Sequence, residues 1–213
     1  MAINERSFLL KKLHSLSGLF FCLFLLEHFF TNSFALFGRE AYGEKAAFLQ
    51  ELPYLLFIEI FLLAAPILFH AGYGFYITYK GENNALTYGY VRNWLYFGQR
   101  VTGAIAFFYI VFHVVSTRFT NAHGPALFDI VAESIRNPLV FAFYTLGIAA
   151  ASFHFGNGLW GFCFSWGVVT RARSQRNLGY ICIGIGLLMF FIGMNSLLAF
   201  LGMAWVPGAN INW

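Results

Sequence analysis

Residues 149–166 read AAASFHFGNGLWGFCFSW. A segment this apolar is no surface helix of a water-soluble protein, and an imidazole inside it, at His154, needs a purpose. Glycines at 156, 158 and 161 thin the helix near the ring, as they do where something large lies against it. Three further apolar segments carry one such histidine each: His28, His70 and His113. The gaps between the four are 42, 43 and 41 residues, so each step moves to the next segment.

Composition agrees with that reading. Of 213 residues, 59% are hydrophobic, only 10% are charged, and 28 are phenylalanine. A soluble domain carries roughly a quarter charged residues. Here the charges gather between long apolar runs. The fold class is therefore all-α: a polytopic membrane protein, one transmembrane domain over 1–213 built as a five-helix bundle. The spans are expected at about 15–37, 53–79, 98–119, 138–169 and 178–205. The first is too long for a cleaved signal and lacks a small-residue cleavage site. Pro66 is expected to kink the second. Residues 37–52 read as a loop, and Pro125–Ile135 as a short interfacial helix. Trp94, Trp166, Trp205 and Trp213 suit membrane interfaces. Cys22, Cys163 and Cys182 show no metal-binding spacing and read as small buried apolar residues.

Five spans put the termini on opposite sides. With the N-terminus inside, nine Lys and Arg fall inside and four outside. That bias places the N-terminus in the cytoplasm and the C-terminus outside. The net charge of +4 is thereby explained by topology, with no nucleic-acid partner.

Position along a helix converts to depth at about 1.5 Å per residue. On the expected boundaries His28 and His113 lie about 20 and 22 Å from the inner side. His70 lies about 14 Å deep, and His154 about 20 Å, or nearer 15 Å if Trp160–Trp166 is interfacial. The four thus form an outer pair, His28 with His113, and an inner pair, His70 with His154. Two neutral imidazoles on facing helices can hold a haem iron from both sides. Gly72 and Gly74 beside His70, and Gly156 and Gly158 beside His154, read as clearance for a macrocycle. Gly18 and Gly103 lie ten residues before His28 and His113 and share their faces. A close-packed helix face gives the same pattern. A proton-conducting or ion-binding histidine set is the competing reading. Tetrahedral zinc fits less well, because it needs four ligands together.

His14 and His123 are too near the boundaries for axial ligation. His14, Lys12, Ser15, Ser17 and Arg100 are candidates to meet inner haem propionates. Glu27 points about 100 degrees away from His28 and reads as a packing or hydrogen-bonding residue. Glu59, eleven residues before His70 and near the outer pair's level, suits a proton donor or acceptor at a quinone site. The structural alternative is a carboxylate paired with a neighbouring span. Glu44 and Arg39 read as a solvated rim; Glu51 stays open between rim and proton path.

The stretches HSLSGLFFCLFLLEHFFTNS, FHAGYGFYI, RVTGAIAFFYIVFHV and FHFGNGLWGFCFSWG, in this order and spacing, resemble the di-haem cytochrome b subunit of succinate:quinone oxidoreductases. The resemblance is to the single five-span anchor of menaquinone-linked succinate dehydrogenases and quinol:fumarate reductases. It implies two b haems, the distal one on His28 and His113 and the proximal one on His70 and His154. It implies menaquinol or menaquinone as substrate. Partners would be an FAD flavoprotein and an iron–sulfur subunit on the cytoplasmic face of a bacterial inner membrane, with a dimer of heterotrimers as the larger assembly. The flavoprotein, not this chain, would interconvert succinate and fumarate. A glutamate serving quinol oxidation would be Glu59, Glu51 or Glu44, with Glu59 first on depth. Fumarate reduction is slightly favoured as the direction. The other readings are an anchor of a formate dehydrogenase or hydrogenase, and a haem-free histidine-relay transporter.

Overall fold

The computed structural model describes residues 5–82 and 84–205. The interfacial place read for Trp213 lies outside the described residues. Five helices are long and apolar enough to cross a membrane. Span I is Glu5–Ser33, continued by a 3-10 turn at Phe34–Phe37. Span II is Leu55–Lys80, span III Val91–Thr117, span IV Pro138–Ser165 and span V Ala172–Ala199. Large apolar side chains stay exposed on every span, for example Leu23, Phe61, Phe108, Leu146 and Leu187. That is the outward face of a bundle whose solvent is lipid.

Span ends depart from the sequence expectation in an instructive way. Span I starts ten residues early, because Arg6, Lys11 and Lys12 sit on a helix that projects beyond its apolar stretch. Span III starts at Val91 rather than 98. Span IV ends at Ser165, four residues early, so His154 and His70 lie about 16 and 15 Å from the same ends of their helices. The depth match of that pair needs no further adjustment. Span II answers Pro66 locally: the turns just before it, Ile58–Ala64, form a π-helix. The wider turn takes up the proline ring and its missing donor.

Span IV packs most extensively on spans V and III, and span I on span II. Small residues allow the closest crossing. A Cβ on Gly156 would meet the Cys182 carbonyl oxygen at 2.6 Å, and one on Gly186 the Ser152 carbonyl oxygen at 3.1 Å. Gly156 therefore serves packing between spans IV and V, as small residues do in membrane bundles. Of the two readings of this glycine, macrocycle clearance and a close-packed helix face, it is the second that its contacts match.

Two short helices cover the side opposite the chain's start, here called the far side. Pro125–Ile135 forms as expected. Arg39–Gln50 is also helical, where a loop was expected. Its inward stripe is short, with Tyr42, Gly43 and Ala46 buried. The two helices dock by a close approach and polar clamps. Gly43 leaves no room for a Cβ against Pro125. The Gln50 amide donates to the Ala122 carbonyl (2.9 Å) and accepts from the Gly124 N–H (3.0 Å). Arg39 donates twice to Asp129, at 2.8 and 2.7 Å. The rings of Tyr42, Phe128 and Phe200 fill the space beneath.

The Arg39 guanidinium holds the Asp129 carboxyl below its ordinary value. A depressed folded-state value means the ion pair contributes above the unfolded carboxylate range and is lost as pH falls through the folded value. Thermal midpoints of the wild type and Asp129→Asn should therefore differ at neutral pH and converge below about pH 4. A gap that persists in acid would contradict this.

Candidate functional site

The four span histidines meet as two pairs. The rings of His28 and His113 stand 5.6 Å apart between centroids, at 79 degrees. Those of His70 and His154 stand 6.1 Å apart, at 87 degrees. An imidazole nitrogen binds a first-row metal at about 2 Å, so two rings on opposite sides of one ion have centres about 6 Å apart. Both pairs have that separation. Among the described residues no three histidine, cysteine or acidic side chains converge as a metal-binding group. The arrangement is two imidazoles at each of two levels.

Spans I and III each serve both levels. A Cβ on Gly18 would lie 2.6 Å from His70 Cε1, and one on Gly103 2.9 Å from His154 Cε1. The same spans carry His28 and His113 ten residues on, about 15 Å along the axis. So the glycine of each span clears space for the rings of one pair, and its histidine belongs to the other. Gly74 faces His14, Gly158 faces the Gln99 side chain, and Gly72 faces open space.

Ligation through Nε2 requires the proton on Nδ1, held by an acceptor. His70 Nδ1 is 3.0 Å from the carbonyl oxygen of His14, and His154 Nδ1 is 3.0 Å from that of Gln99. A carbonyl only accepts, so both rings carry the proton on Nδ1 and leave Nε2 with its lone pair. Gln99 returns a bond from its own amide to the His154 carbonyl (3.1 Å), and Asn157 donates to the Gln99 side-chain oxygen (2.8 Å). His113 Nδ1 is 3.3 Å from the buried Tyr144 hydroxyl. His28 differs, with Nε2 3.3 Å from the Asn32 amide nitrogen, which also donates to the His28 carbonyl at 2.8 Å. Sequence reasoning passed over Asn32, Tyr144, Gln99 and Asn157. A polar residue inside an otherwise apolar span was their available signal.

The His70/His154 pair has buried polar atoms around it. The ring of His14 stacks on His70 at 4.2 Å and 7 degrees. Its Nε2 is enclosed and has no partner. Arg100 Nε is also buried without a partner, three residues before Gly103. The other nitrogens of Arg100 donate to the carbonyls of Gly81 and Glu82 and to the Tyr96 hydroxyl. Two unpartnered buried polar atoms, one on the ring stacked against His70 and one on the span of Gly103, fit a bound group that brings its own polar oxygens. Lys12 instead donates to the Ser165 carbonyl (2.7 Å), Ser15 accepts from Trp166 (3.1 Å), and Ser17 donates to the His14 carbonyl (2.8 Å). His123 is exposed on a far-side loop. Around His28 and His113 lies a cavity of about 120 Å³, walled also by Asn32, Thr117, Tyr144 and Ser196.

Neither acid within the spans is hydrogen-bonded to a span histidine among the described residues. Glu59 accepts two bonds from Arg118, at 2.7 and 3.0 Å, joining spans II and III at the far side. That is the paired-carboxylate arrangement. Glu27 accepts from Thr31 at 2.6 Å, the hydrogen-bonding role read for it. Glu51 and Glu44 are exposed on the far-side connection.

A family model described as "Succinate dehydrogenase/Fumarate reductase transmembrane subunit" matches residues 83–193, just over half the chain. The chain belongs to this family. It is also 38% identical over 199 residues to the "Succinate dehydrogenase cytochrome b558 subunit" of Bacillus subtilis (strain 168), covering 92% of this chain and 98% of that protein. As a member of the succinate dehydrogenase/fumarate reductase transmembrane subunits, it is the membrane-embedded electron-transfer and anchor subunit of a respiratory complex. The chemistry on the dicarboxylate is not its own. Membership sets aside both the anchor of a formate dehydrogenase or hydrogenase and the haem-free transporter.

Proposed function

We propose that His28 with His113, and His70 with His154, each hold one b haem, and that the chain carries electrons between membrane quinone and a soluble flavoprotein and iron–sulfur pair. Haem supplies a one-electron iron couple at each level. The chain's own residues do the rest. The carbonyls of His14 and Gln99 fix two rings with Nε2 free. Tyr144 engages the third at Nδ1, and Gly18 and Gly103 keep one level open. His14 Nε2 and Arg100 Nε are the unpartnered buried atoms that would meet haem carboxylates. The observation that carries the reading is the pairing itself: two couples of imidazoles, each with ring centres about 6 Å apart.

The direction favoured is succinate oxidation with menaquinone as acceptor, because the 38% identical relative is named a succinate dehydrogenase subunit. This reverses the slight sequence preference; fumarate reduction by menaquinol is the second reading. The soluble partners dock on the cytoplasmic face, taken to be the side where span I begins because Lys and Arg are concentrated there. The test is to purify the complex through a tag on this chain and assay it. An FAD-containing and an iron–sulfur subunit should copurify, with succinate-driven reduction of a menaquinone analogue. A chain that purifies alone, or with a partner inert towards both succinate and fumarate, would overturn it.

Glu59 is proposed as the acid that exchanges protons with quinone, with Glu51 as its route to water. Its two bonds from Arg118 hold the carboxyl at the far side, where spans II and III meet. Removing such a group costs on the order of 100-fold in rate. Glu59→Gln should thus lower quinone turnover by about that factor with haem content unchanged. Full turnover in Glu59→Gln would leave the ion pair as its whole role.

A further inference from the structure

Spans I and V leave a lipid-facing groove of about 350 Å³ in the far half of the bundle. Leu26, Phe30, Leu36, Met189, Phe191 and Ile192 give it apolar walls. Leu26 and Ser33 are seven residues apart, so the trough runs about 11 Å along span I, and Leu36 carries it on into the 3-10 turn. It has one unusual lining residue. Asn195 is 3% exposed, and its side-chain oxygen accepts the Trp205 N–H at 2.7 Å. Its amide nitrogen has no partner among the described residues. Ser33, the other polar wall, has already donated its hydroxyl to the Phe30 carbonyl at 2.6 Å.

An amide N–H2 with no acceptor is costly where the surrounding solvent is hydrocarbon. Whatever lies in the groove must bring an acceptor to one end and be apolar along the rest. The Asn195 end is set beside Trp205, an interfacial aromatic residue in the sequence reading, and tryptophan marks the level of the headgroup boundary. Acyl-ester carbonyls lie at that same boundary. We infer that the groove is a binding site for one membrane phospholipid, its ester carbonyl accepting from Asn195 and an acyl chain lying along the trough towards Leu26. Quinone fits less well, because no titratable side chain lines the groove and two-electron quinone chemistry needs protons.

The site has a structural consequence. Phe29 lines both the groove and the cavity that holds His28 and His113, and its ring packs against Gly193. A lipid chain in the trough backs that ring and separates the far-side histidines from the membrane. The inference is independent of what the histidines hold.

Three forms of the intact complex test it: wild type, Asn195→Leu, and Leu26→Trp, which fills the trough and leaves the Asn195–Trp205 bond in place. Each is washed extensively in lipid-free detergent, and retained phospholipid and quinone are extracted and quantified per chain. Loss of one hydrogen bond should weaken lipid retention about fivefold in Asn195→Leu. Leu26→Trp should lose the same lipid, and bound quinone should not change in either. Equal phospholipid in all three forms would overturn the inference. So would loss of quinone instead of lipid, or a wild type that retains none, as when the chain's own residues 206–213 fill the groove.

Discussion

His113→Ala should halve the b-haem content of the purified complex, and the component lost should be the one lost in His28→Ala. The two rings approach to 5.6 Å from spans III and I, so on the proposed ligation removing either would leave the haem iron with one imidazole. His70→Ala and His154→Ala should remove the second component and spare the first, because their glycine-cleared level lies about 15 Å away along the helices. Reduced-minus-oxidised difference spectra with redox titration resolve the two components. Loss of one shared component in His28→Ala and His70→Ala would contradict the pairing. So would a single-site variant that loses both haems while the helix content of the protein is unchanged.

Gly18→Leu gives the second large effect, and it separates the structure from a reading based on neighbours in sequence. Gly18 shares span I with His28, yet a Cβ at this position would press on His70, 2.6 Å from Cε1. Leucine adds three more carbons where one already collides. Overpacking of this kind costs about 1–3 kcal/mol and displaces the group it meets. Axial ligation does not tolerate such a displacement, so Gly18→Leu should lose nearly all of the component lost in His70→Ala. The component that depends on His28 should remain. Gly103→Leu should behave in the same way through His154. If Gly18→Leu instead lost the His28-dependent component, the glycine would belong to the other level.

The pairing was legible in the sequence because depth along a helix is a linear function of residue number. One apolar run per histidine, with its expected ends, put His28 level with His113, while His70 and His154 came level only with span IV trimmed at its inner end. The role of the glycines was not legible in the same way. A glycine's position on its own helix says which face is thin and does not say which neighbouring helix lies against that face. Hence Gly156, two residues from His154, turned out to face span V, and Gly18 to face a histidine of span II. The connecting helix Arg39–Gln50 escaped notice for another reason. Its inward stripe is one tyrosine, one glycine and one alanine, too short for the periodicity to rise above a charged loop. The acceptors that set the imidazole protons are main-chain carbonyls 55 and 56 residues away in the chain, and a carbonyl has no sequence signature. Glu59 was placed on the correct side by depth, and pairing with a neighbouring span was one of its two readings; Arg118 could not be singled out as the partner without the crossing of spans II and III.

The central claim is that four histidines on four spans form two bis-histidine haem sites. Its most direct measurement is the haem content of the purified wild-type complex per copy of this chain, taken together with the spin state of the oxidised iron. Two b haems per chain, both low-spin as two axial imidazoles require, is the predicted result. One haem per chain, none, or a high-spin iron with an open position would contradict it.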